Sequence, residues 1–176
     1  RERFPEHSVF NRLCDVEWNT PIGDAKACGG DAMARAAALV AAGGYRDDLI
    51  AGEEPELCVR LRAAGWKIFR LDHEMTLHDA AMLHWRQWWR RSVRGGYAFA
   101  EGSWLHGQMP ERHWVMETRR ALVWGLLLPL AILVVAWEVD ARALWLLLLY
   151  PEQVLRLARR GASVERAFFL VAGKFA

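Results

Sequence analysis

The sequence has few cysteines, no lysine-rich tract and little net charge. Its three cysteines are odd in number, widely spaced and without a Cys-x-x-Cys pair or a histidine companion: Cys14, Cys28 and Cys58. This pattern indicates neither a disulfide framework nor a zinc site, and we expect reduced thiols that face the cytoplasm. The net charge of +2, with no basic tract spaced by aromatic residues, argues against a nucleic acid partner.

Apolar residues are abundant but unevenly spread along the chain. They make up 53% of the 176 residues and include ten tryptophans, which is unusual for a purely soluble domain. No charged residue occurs between Ala121 and Trp137, and a second apolar block runs from Ala143 to Tyr150. The chain is therefore expected to have a globular part, residues 1–110, and an apolar part, residues 111–176.

The globular part alternates strand patterns with helical ones. Three segments have strand patterns: Ala25–Cys28, Trp66–Leu71 and Met75–His78. A helix is predicted from Ala32 to Ala42, capped by Asp31 and ended by Gly43 and Gly44, whereas residues 1–21 are expected to be irregular. Strands that alternate with helices indicate an α/β layer architecture.

Three carboxylates crowd the start of a further predicted helix: Glu53, Glu54 and Glu56. Pro55 fits the first helical position, the apolar residues after it recur on one face, and Gly65 ends the helix. A helix N-terminus keeps a nearby carboxylate ionised, so a glutamate there can accept a proton from a hydroxyl group if it opens on a cleft. The alternative is a capping cluster, since acidic residues are common in first helical turns.

A tryptophan-containing stripe and an arginine stripe run along a helix predicted from Ala80 to Ala100. The apolar stripe contains Met82, Trp85, Trp89 and Val93, and the neighbouring one contains Arg86, Arg90 and Arg94. Tryptophan prefers the membrane interface and long basic side chains reach lipid phosphates, so this helix can lie on a bilayer. The alternative is a core helix with a solvated basic edge.

The apolar part predicts membrane-anchoring helices. A span is predicted over residues 118–137, followed by a second short apolar helix over residues 143–157 and a third, truncated one. Arginines gather outside both arms: Arg112, Arg119, Arg120, Arg156, Arg159, Arg160 and Arg166. By the positive-inside rule both flanks are cytoplasmic. Pro151 and Glu152 interrupt the second arm, which is either a span or an interfacial helix.

Five segments, in order and spacing, resemble the second half of a family 2 glycosyltransferase catalytic domain: Cys28-Gly-Gly-Asp-Ala-Met-Ala-Arg35, Gly43-Gly-Tyr45, Gly52-Glu-Glu-Pro-Glu-Leu-Cys-Val-Arg-Leu61, Ala64-Gly-Trp66 and His78. The resemblance covers Ala25 to Gly102, and Tyr150-Pro-Glu-Gln-Val-Leu-Arg156 resembles the membrane anchors of bacterial membrane-associated members. It implies an α/β fold, the C-terminal half of a GT-A (Rossmann-like) domain, followed by amphipathic and transmembrane helices.

The resemblance implies a catalytic role for two of the glutamates. Glu53 and Glu54 match the family's Glu-Asp pair, in which the second residue is the general base, although Glu54 replaces the usual aspartate. An inverting transfer needs such a carboxylate because the acceptor hydroxyl loses its proton as it attacks the anomeric carbon of the sugar. Glu56 is expected to stay on the helix surface, outside the site.

Other matched positions imply binding roles. His78 matches a histidine that completes the coordination of a divalent metal, Mg²⁺ or Mn²⁺, most of whose ligands would lie in the missing N-terminal half. Gly29 and Gly30 would let the backbone approach a donor or acceptor sugar. Asp31 either binds a sugar hydroxyl or caps its helix.

The segment Gln87-Trp-Trp-Arg-Arg91 resembles the Gln-x-x-Arg-Trp signature of processive members of the family. Arg91 occupies the tryptophan position, and this departure argues against processive polymer synthesis. The resemblance leaves Gln87, Arg90 and Arg86 as expected substrate-binding residues.

The implied function is an inverting hexosyltransferase reaction from a nucleotide-sugar donor to a lipid-linked or cell-envelope glycan acceptor. The implied location is the inner (plasma) membrane, with the catalytic part on the cytoplasmic face. The chain opens on Arg1 without an initiator methionine or a signal peptide, so we expect a fragment that lacks the nucleotide-binding half and is inactive alone. The alternative is a non-catalytic membrane-associated α/β scaffold or partner module.

Overall fold

The computed structural model describes residues Arg1–Ala176, of which 61% lie in helices and 5% in strands. Its α-helices are α1 Val9–Trp18, α2 Ala36–Ala41, α3 Glu53–Ala63, α4 Trp85–His106, α5 Val115–Ala121, α6 Leu128–Glu138, α7 Leu149–Arg159 and α8 Val164–Ala172. A single antiparallel sheet joins β1, Gly23–Ala25, to β2, Ile68–Arg70. Its paired residues are Gly23 with Arg70, Asp24 with Phe69 and Ala25 with Ile68.

The predicted α/β architecture, with its GT-A (Rossmann-like) domain, is wrong. Such a domain is built on an open, mostly parallel sheet with helices on both faces, whereas this chain has one two-stranded antiparallel sheet. Residues 26–28 were expected in a strand, but their backbone bonds to side chains. Arg62 donates to the carbonyl oxygen of Lys26, and the N–H of Cys28 donates to the sulfur of Cys58. These bonds replace a strand ladder.

The first helices also begin elsewhere than predicted. Residues 1–21, expected to be irregular, contain α1, whose first turn is capped by the Ser8 side chain. Asp31 caps no helix, because α2 begins at Ala36, after the N-cap residue Arg35. The predicted end of this helix is confirmed, since Gly43 follows it in the left-handed region with φ of +81°.

The chain divides into two compact units, Arg1–Val115 and Met116–Ala176. In the first unit, α2 and α3 pack together through a small buried apolar cluster, Ala38, Leu57 and Leu61, with partly buried Leu39, Ala42 and Ile68 against it. Burying a leucine side chain fully stabilises a fold by about 1.5–3 kcal/mol. The cluster therefore fixes α3 against α2 and β2. It also fixes the first turn of α3, here called the acidic helix start, with Glu53, Glu54 and Glu56.

A buried polar network fixes the segment that contains His78. Glu2 and Asn11 are buried, and the Glu2 carboxylate accepts hydrogen bonds from the Asn11 side chain at 3.2 Å and the Ala80 N–H at 2.9 Å. The Asn11 side-chain oxygen in turn accepts from the Met82 N–H at 3.1 Å. His78 itself pairs with Glu2 as an isolated parallel bridge, so the strand predicted over residues 75–78 is reduced to one residue.

In the second unit, one helix is long and apolar enough to cross a membrane by length and composition. It runs over Val115–Glu138, 24 residues with a mean hydropathy of 2.1, and only 6% of its apolar window is buried. At 1.5 Å per residue it is about 36 Å long, more than a hydrocarbon core of about 30 Å. The backbone carbonyl of Lys174 lies against Gly125. A Cβ atom at position 125 would collide with it, so this close approach needs glycine.

The second apolar arm is broken into two different helical forms. Ala141–Leu148 is a 3₁₀ helix and α7 follows it, with Pro151 in the first turn of α7, where its missing N–H leaves no bond unmade. Ser163 caps α8 by accepting a hydrogen bond from the Arg166 N–H at 3.1 Å.

Candidate functional site

The acidic helix start is built on a left-handed glycine. Gly52 is the N-cap of α3 with φ of +88°, so the helix begins at Glu53, and Glu54 and Pro55 follow in its first turn. The prediction that Pro55 takes the first helical position is wrong by two residues. The first turn tolerates the proline there, because its N–H groups have no partner within the helix. Glu54 therefore belongs to the first turn, among unpaired N–H groups that favour negative charge.

We expect the change Gly52→Ala to destabilise the first unit by about 1–3 kcal/mol, because alanine is strained at this backbone conformation and its Cβ would meet the Trp114 ring at 3.0 Å. Gly65→Ala is a matched control: its φ is +85°, and nothing lies within 4 Å of its Cβ position. Thermal unfolding in detergent measures both. Equal losses of stability would contradict the role given to Trp114.

The loop that contains Gly29 and Gly30, here called the Gly-Gly loop, faces Glu54. A Cβ atom on Gly30 would lie 3.7 Å from Oε1 of Glu54, and both Gly29 and Gly30 are exposed. Glu54 is itself partly exposed. The exposed backbone of Gly30 therefore lies close to the carboxylate of a partly exposed Glu54.

Asp31 and His78 lie at the same loop. Oδ2 of Asp31 is 3.8 Å from Nε2 of His78, with side chains 43% and 60% exposed. The ring of Trp18, at the end of α1, lies 5.6 Å from the ring of His78. The structure thus brings His78 to the loop that borders Glu54 and places Trp18 beside it, which the sequence pattern did not indicate.

The residues around His78 do not by themselves fit a metal ion. No group of three or more His, Cys, Asp or Glu side chains in the chain could hold one. Asp31 is the one carboxylate beside His78, and both side chains are exposed. Mg²⁺ takes near-octahedral oxygen coordination from carboxylates, waters and substrate phosphates, and Asp31 with His78 supplies a single carboxylate and a nitrogen ligand.

Arg94 supports the other side of the acidic helix start. Its Nε donates to the carbonyl oxygen of Ile50 at 2.9 Å, and its Nη2 lies 3.9 Å from Oε1 of Glu53. Arg94 was expected only as part of a basic stripe. In the structure it connects α4 to the loop before α3 and gives Glu53 a partner, which leaves Glu54 as the carboxylate that faces the Gly-Gly loop.

Glu56 lies in the core of the first unit. The expectation that it stays on the helix surface is wrong, because its side chain is 1% exposed. Arg60 donates to it through Nε and Nη2, the latter at 2.7 Å, and Nε2 of His106 lies 2.8 Å away. Burial raises the pKa of Glu56, but the hydrogen bonds from Arg60 and His106 outweigh burial and leave this pKa below its ordinary value of 4.5.

The lowered pKa of Glu56 predicts a loss of stability in acid. A carboxyl group whose pKa is depressed by folding stabilises the fold fully above its unfolded pKa, and this contribution disappears as the pH falls through the folded pKa. We expect the melting temperature to fall as the pH is lowered from 5 through the range below 4.5, and to fall less steeply in Glu56→Gln. Parallel slopes for the two proteins would contradict this assignment.

Of the three residues on α4 that were expected to bind substrate, Gln87 is used in capping the helix, whereas Arg86 and Arg90 are exposed. The Gln87 side chain accepts from the N–H groups of Leu83 and His84 at 2.8 and 2.9 Å and donates to Ala81 at 3.0 Å. These bonds cap α4 and explain why the helix begins at Trp85 rather than Ala80. Arg86 and Arg90 are exposed instead, and with Trp85 and Trp89 they line a shallow surface depression.

No protein-family model, no curated protein and no solved structure matches this chain. The site is therefore defined by its geometry and by the motifs that meet in it. Those motifs are the Gly-Gly loop, the acidic helix start and the segment that ends at His78.

Proposed function

We propose that this chain supplies the general base and the acceptor-facing residues of an inverting glycosyltransferase that works at a membrane. The donor is a nucleotide sugar, and the acceptor is a lipid-linked or cell-envelope glycan. The observation that supports the proposal most is the approach of Gly30 to Glu54, with the Asp31–His78 pair beside it. The proposal does not draw on the fold, since the expected GT-A architecture is wrong for this chain.

The proposed chemistry needs one proton transfer at Glu54. An acceptor hydroxyl placed over Gly30 donates a hydrogen bond to the Glu54 carboxylate. As the hydroxyl oxygen attacks the anomeric carbon, its proton moves to Glu54 and the bond from the sugar to the nucleotide breaks. Asp31 can accept hydrogen bonds from sugar hydroxyls, and His78 can donate or accept them, because both side chains are exposed.

The long apolar helix supports a location in the membrane. Only 6% of the apolar window of Val115–Glu138 is buried within the chain, whereas the core helix of a soluble protein is mostly buried. The arginines that flank the apolar part, among them Arg119 and Arg120, favour a cytoplasmic position for both flanks at the inner (plasma) membrane.

Sugar transfer by membranes that contain the full-length protein tests the proposal. Membranes with the wild-type protein are supplied with labelled nucleotide sugars, and transfer of label to the lipid and glycan fractions is compared with that of membranes with Glu54→Gln. A loss of transfer in the variant supports the proposal. Transfer that persists unchanged would show that Glu54 is not the base.

A non-catalytic membrane-associated partner module is the second candidate. It is favoured by the contact of Glu53 with Arg94, which gives the acidic helix start a structural role, and by the exposure of residues 29–31, which form no enclosed pocket with Glu54. In this case Glu54→Gln would leave all transfer by the host membranes unchanged, while membrane association of the protein stays intact.

A further inference from the structure

Two of the three cysteines lie in contact. The sulfurs of Cys28 and Cys58 are 3.5 Å apart although thirty positions separate them in the sequence. Cys58 lies on the buried face of α3 with 0% exposure, and Cys28 lies in the loop between β1 and Gly29 and is partly exposed. The backbone N–H of Cys28 also donates to the sulfur of Cys58 at 3.4 Å. Two bonds therefore hold the loop against the helix at this point.

The contact changes the acidity of the two thiols. Either sulfur can donate the shared hydrogen bond. The hydrogen bond from Cys28 lowers the pKa of Cys58 to about 6 despite burial, while the same contact and burial raise the pKa of Cys28. The pair therefore retains one proton and one thiolate charge near neutral pH, and a thiolate is the form of cysteine that reacts with oxidants.

We propose that Cys28 and Cys58 form a redox-active thiol pair that a peroxide oxidises to a disulfide, which joins the Gly-Gly loop to α3 beside Glu54. Formation of this disulfide does not require Glu54 to act as a base. The proposal can therefore be tested independently of the glycosyltransferase proposal.

The oxidation proceeds in two steps. Peroxide reaches Cys28, because Cys58 is fully buried. The shared proton first moves to the Cys58 sulfur, which leaves Cys28 as the thiolate. The Cys28 sulfur then attacks one peroxide oxygen; an S–O bond forms, the O–O bond breaks, and the hydroxide released takes the proton of the Cys58 thiol to become water. The resulting Cys58 thiolate attacks the Cys28 sulfenic acid; the S–S bond forms, the S–O bond breaks, and the departing hydroxide takes a proton from solvent to leave as a second water. The two thiols lose two electrons and two protons, and the peroxide is reduced to two waters.

The geometry allows this bond with a small movement of one partner. A disulfide is about 2.0 Å long, so the sulfurs must approach by roughly 1.5 Å. Cys58 is anchored in α3 and Cys28 belongs to a loop, so the loop moves. Cys58 follows Glu54 by one helical turn, and Gly30 follows Cys28 by two residues. The disulfide would therefore restrict the loop that faces Glu54.

Peptide mapping of the full-length protein in detergent tests the proposal. The protein is treated with hydrogen peroxide, unfolded, alkylated and digested. We expect a linked peptide pair that joins Cys28 to Cys58, lighter by two hydrogens than the two free peptides, and its disappearance on addition of dithiothreitol. Cys14 is an internal control, since it is buried, has no partner thiol, and has its pKa raised to about 11 by burial. We expect it to remain alkylated.

Two single variants separate the roles of the sulfurs. In Cys58→Ser, the sulfenic acid on Cys28 has no resolving thiol, and we expect a dimedone adduct on Cys28. In Cys28→Ser, the buried Cys58 should give none, and Cys14→Ser should form the disulfide as the wild type does. The proposal is overturned if wild-type Cys28 and Cys58 both stay alkylated at peroxide levels that oxidise a reference dithiol, or if Cys28 accumulates as sulfinic acid without a linked pair.

Discussion

Replacing Glu54 with glutamine is expected to lower the rate of sugar transfer by about 10²–10⁴-fold, the contribution typical of a positioned general base. Glutamine keeps the size of the side chain and can still accept a hydrogen bond from the acceptor, but it cannot take the proton. Glu54 forms no ion pair, in contrast to Glu53 and Glu56, and its Oε1 lies 3.7 Å from the position that a Cβ atom on Gly30 would take. We therefore expect the variant to fold normally and to lose the chemical step.

Glu6→Gln is the matched control for this experiment. It makes the same chemical change at a side chain that is 68% exposed and pairs only with the neighbouring His7. We expect its transfer rate to stay close to that of wild type, because loss of an exposed ion pair costs only about 0–1 kcal/mol of stability and leaves the protein folded. Circular dichroism spectra of both variants are compared with that of wild type to check that they fold. A Glu54→Gln protein that is folded, membrane-bound and as active as Glu6→Gln would rule out Glu54 as the base.

Replacing Glu56 with alanine is expected to lower the free energy of unfolding by about 3 kcal/mol, the lower end of what is lost when one partner of a buried ion pair is removed. The variant leaves the Arg60 guanidinium and the His106 ring without their carboxylate in a partly buried position, with side chains 24% and 22% exposed. Arg60 retains its bonds to the carbonyl oxygens of Ala42 and Gly44, which limits the loss. For a chain of this size the melting temperature should fall by about 6–12 °C.

Glu17→Ala serves as the control for Glu56→Ala. Glu17 also forms two hydrogen bonds with an arginine, Arg91, at 2.9 and 2.7 Å, but the two side chains are 55% and 42% exposed. Water and salt screen such a pair, so we expect a loss below about 1 kcal/mol. If the two variants melt at the same temperature, the burial of Glu56 does not have the energetic consequence assigned to it.

Glycine signals in the sequence predicted the C-terminal ends of α2 and α3. Gly43 and Gly65 were expected to terminate helices, and both take left-handed backbone conformations. The C-terminus of α3 shows why: the N–H of Trp66 bonds to the carbonyl of Leu61 and the N–H of Gly65 to that of Arg62, a closure that glycine permits without strain. A helix C-terminus of this kind depends only on residues adjacent in the sequence, so the local sequence is enough to predict it.

The strands were predicted less well, since a strand depends on its partner. Residues 26–28 have a strand-like pattern, but their backbone groups are satisfied by Arg62 and Cys58, both on α3. Nothing in the local pattern shows whether a backbone group will bond to another strand or to a side chain distant in sequence. The expected α/β sheet failed for this reason.

The sequence by itself determined the C-terminal ends of α2 and α3, the acidic first turn of α3 and the apolar helix Val115–Glu138, because each depends on residues close together in the chain. Tertiary structure alone decided what the individual side chains face. It turned Glu56 toward Arg60 and His106, directed Glu54 to the Gly-Gly loop, and brought Cys28 to Cys58. The physical reason is that burial and side-chain contacts depend on how separate elements pack. The three glutamates in the first turn of α3 cannot be distinguished until that packing is known.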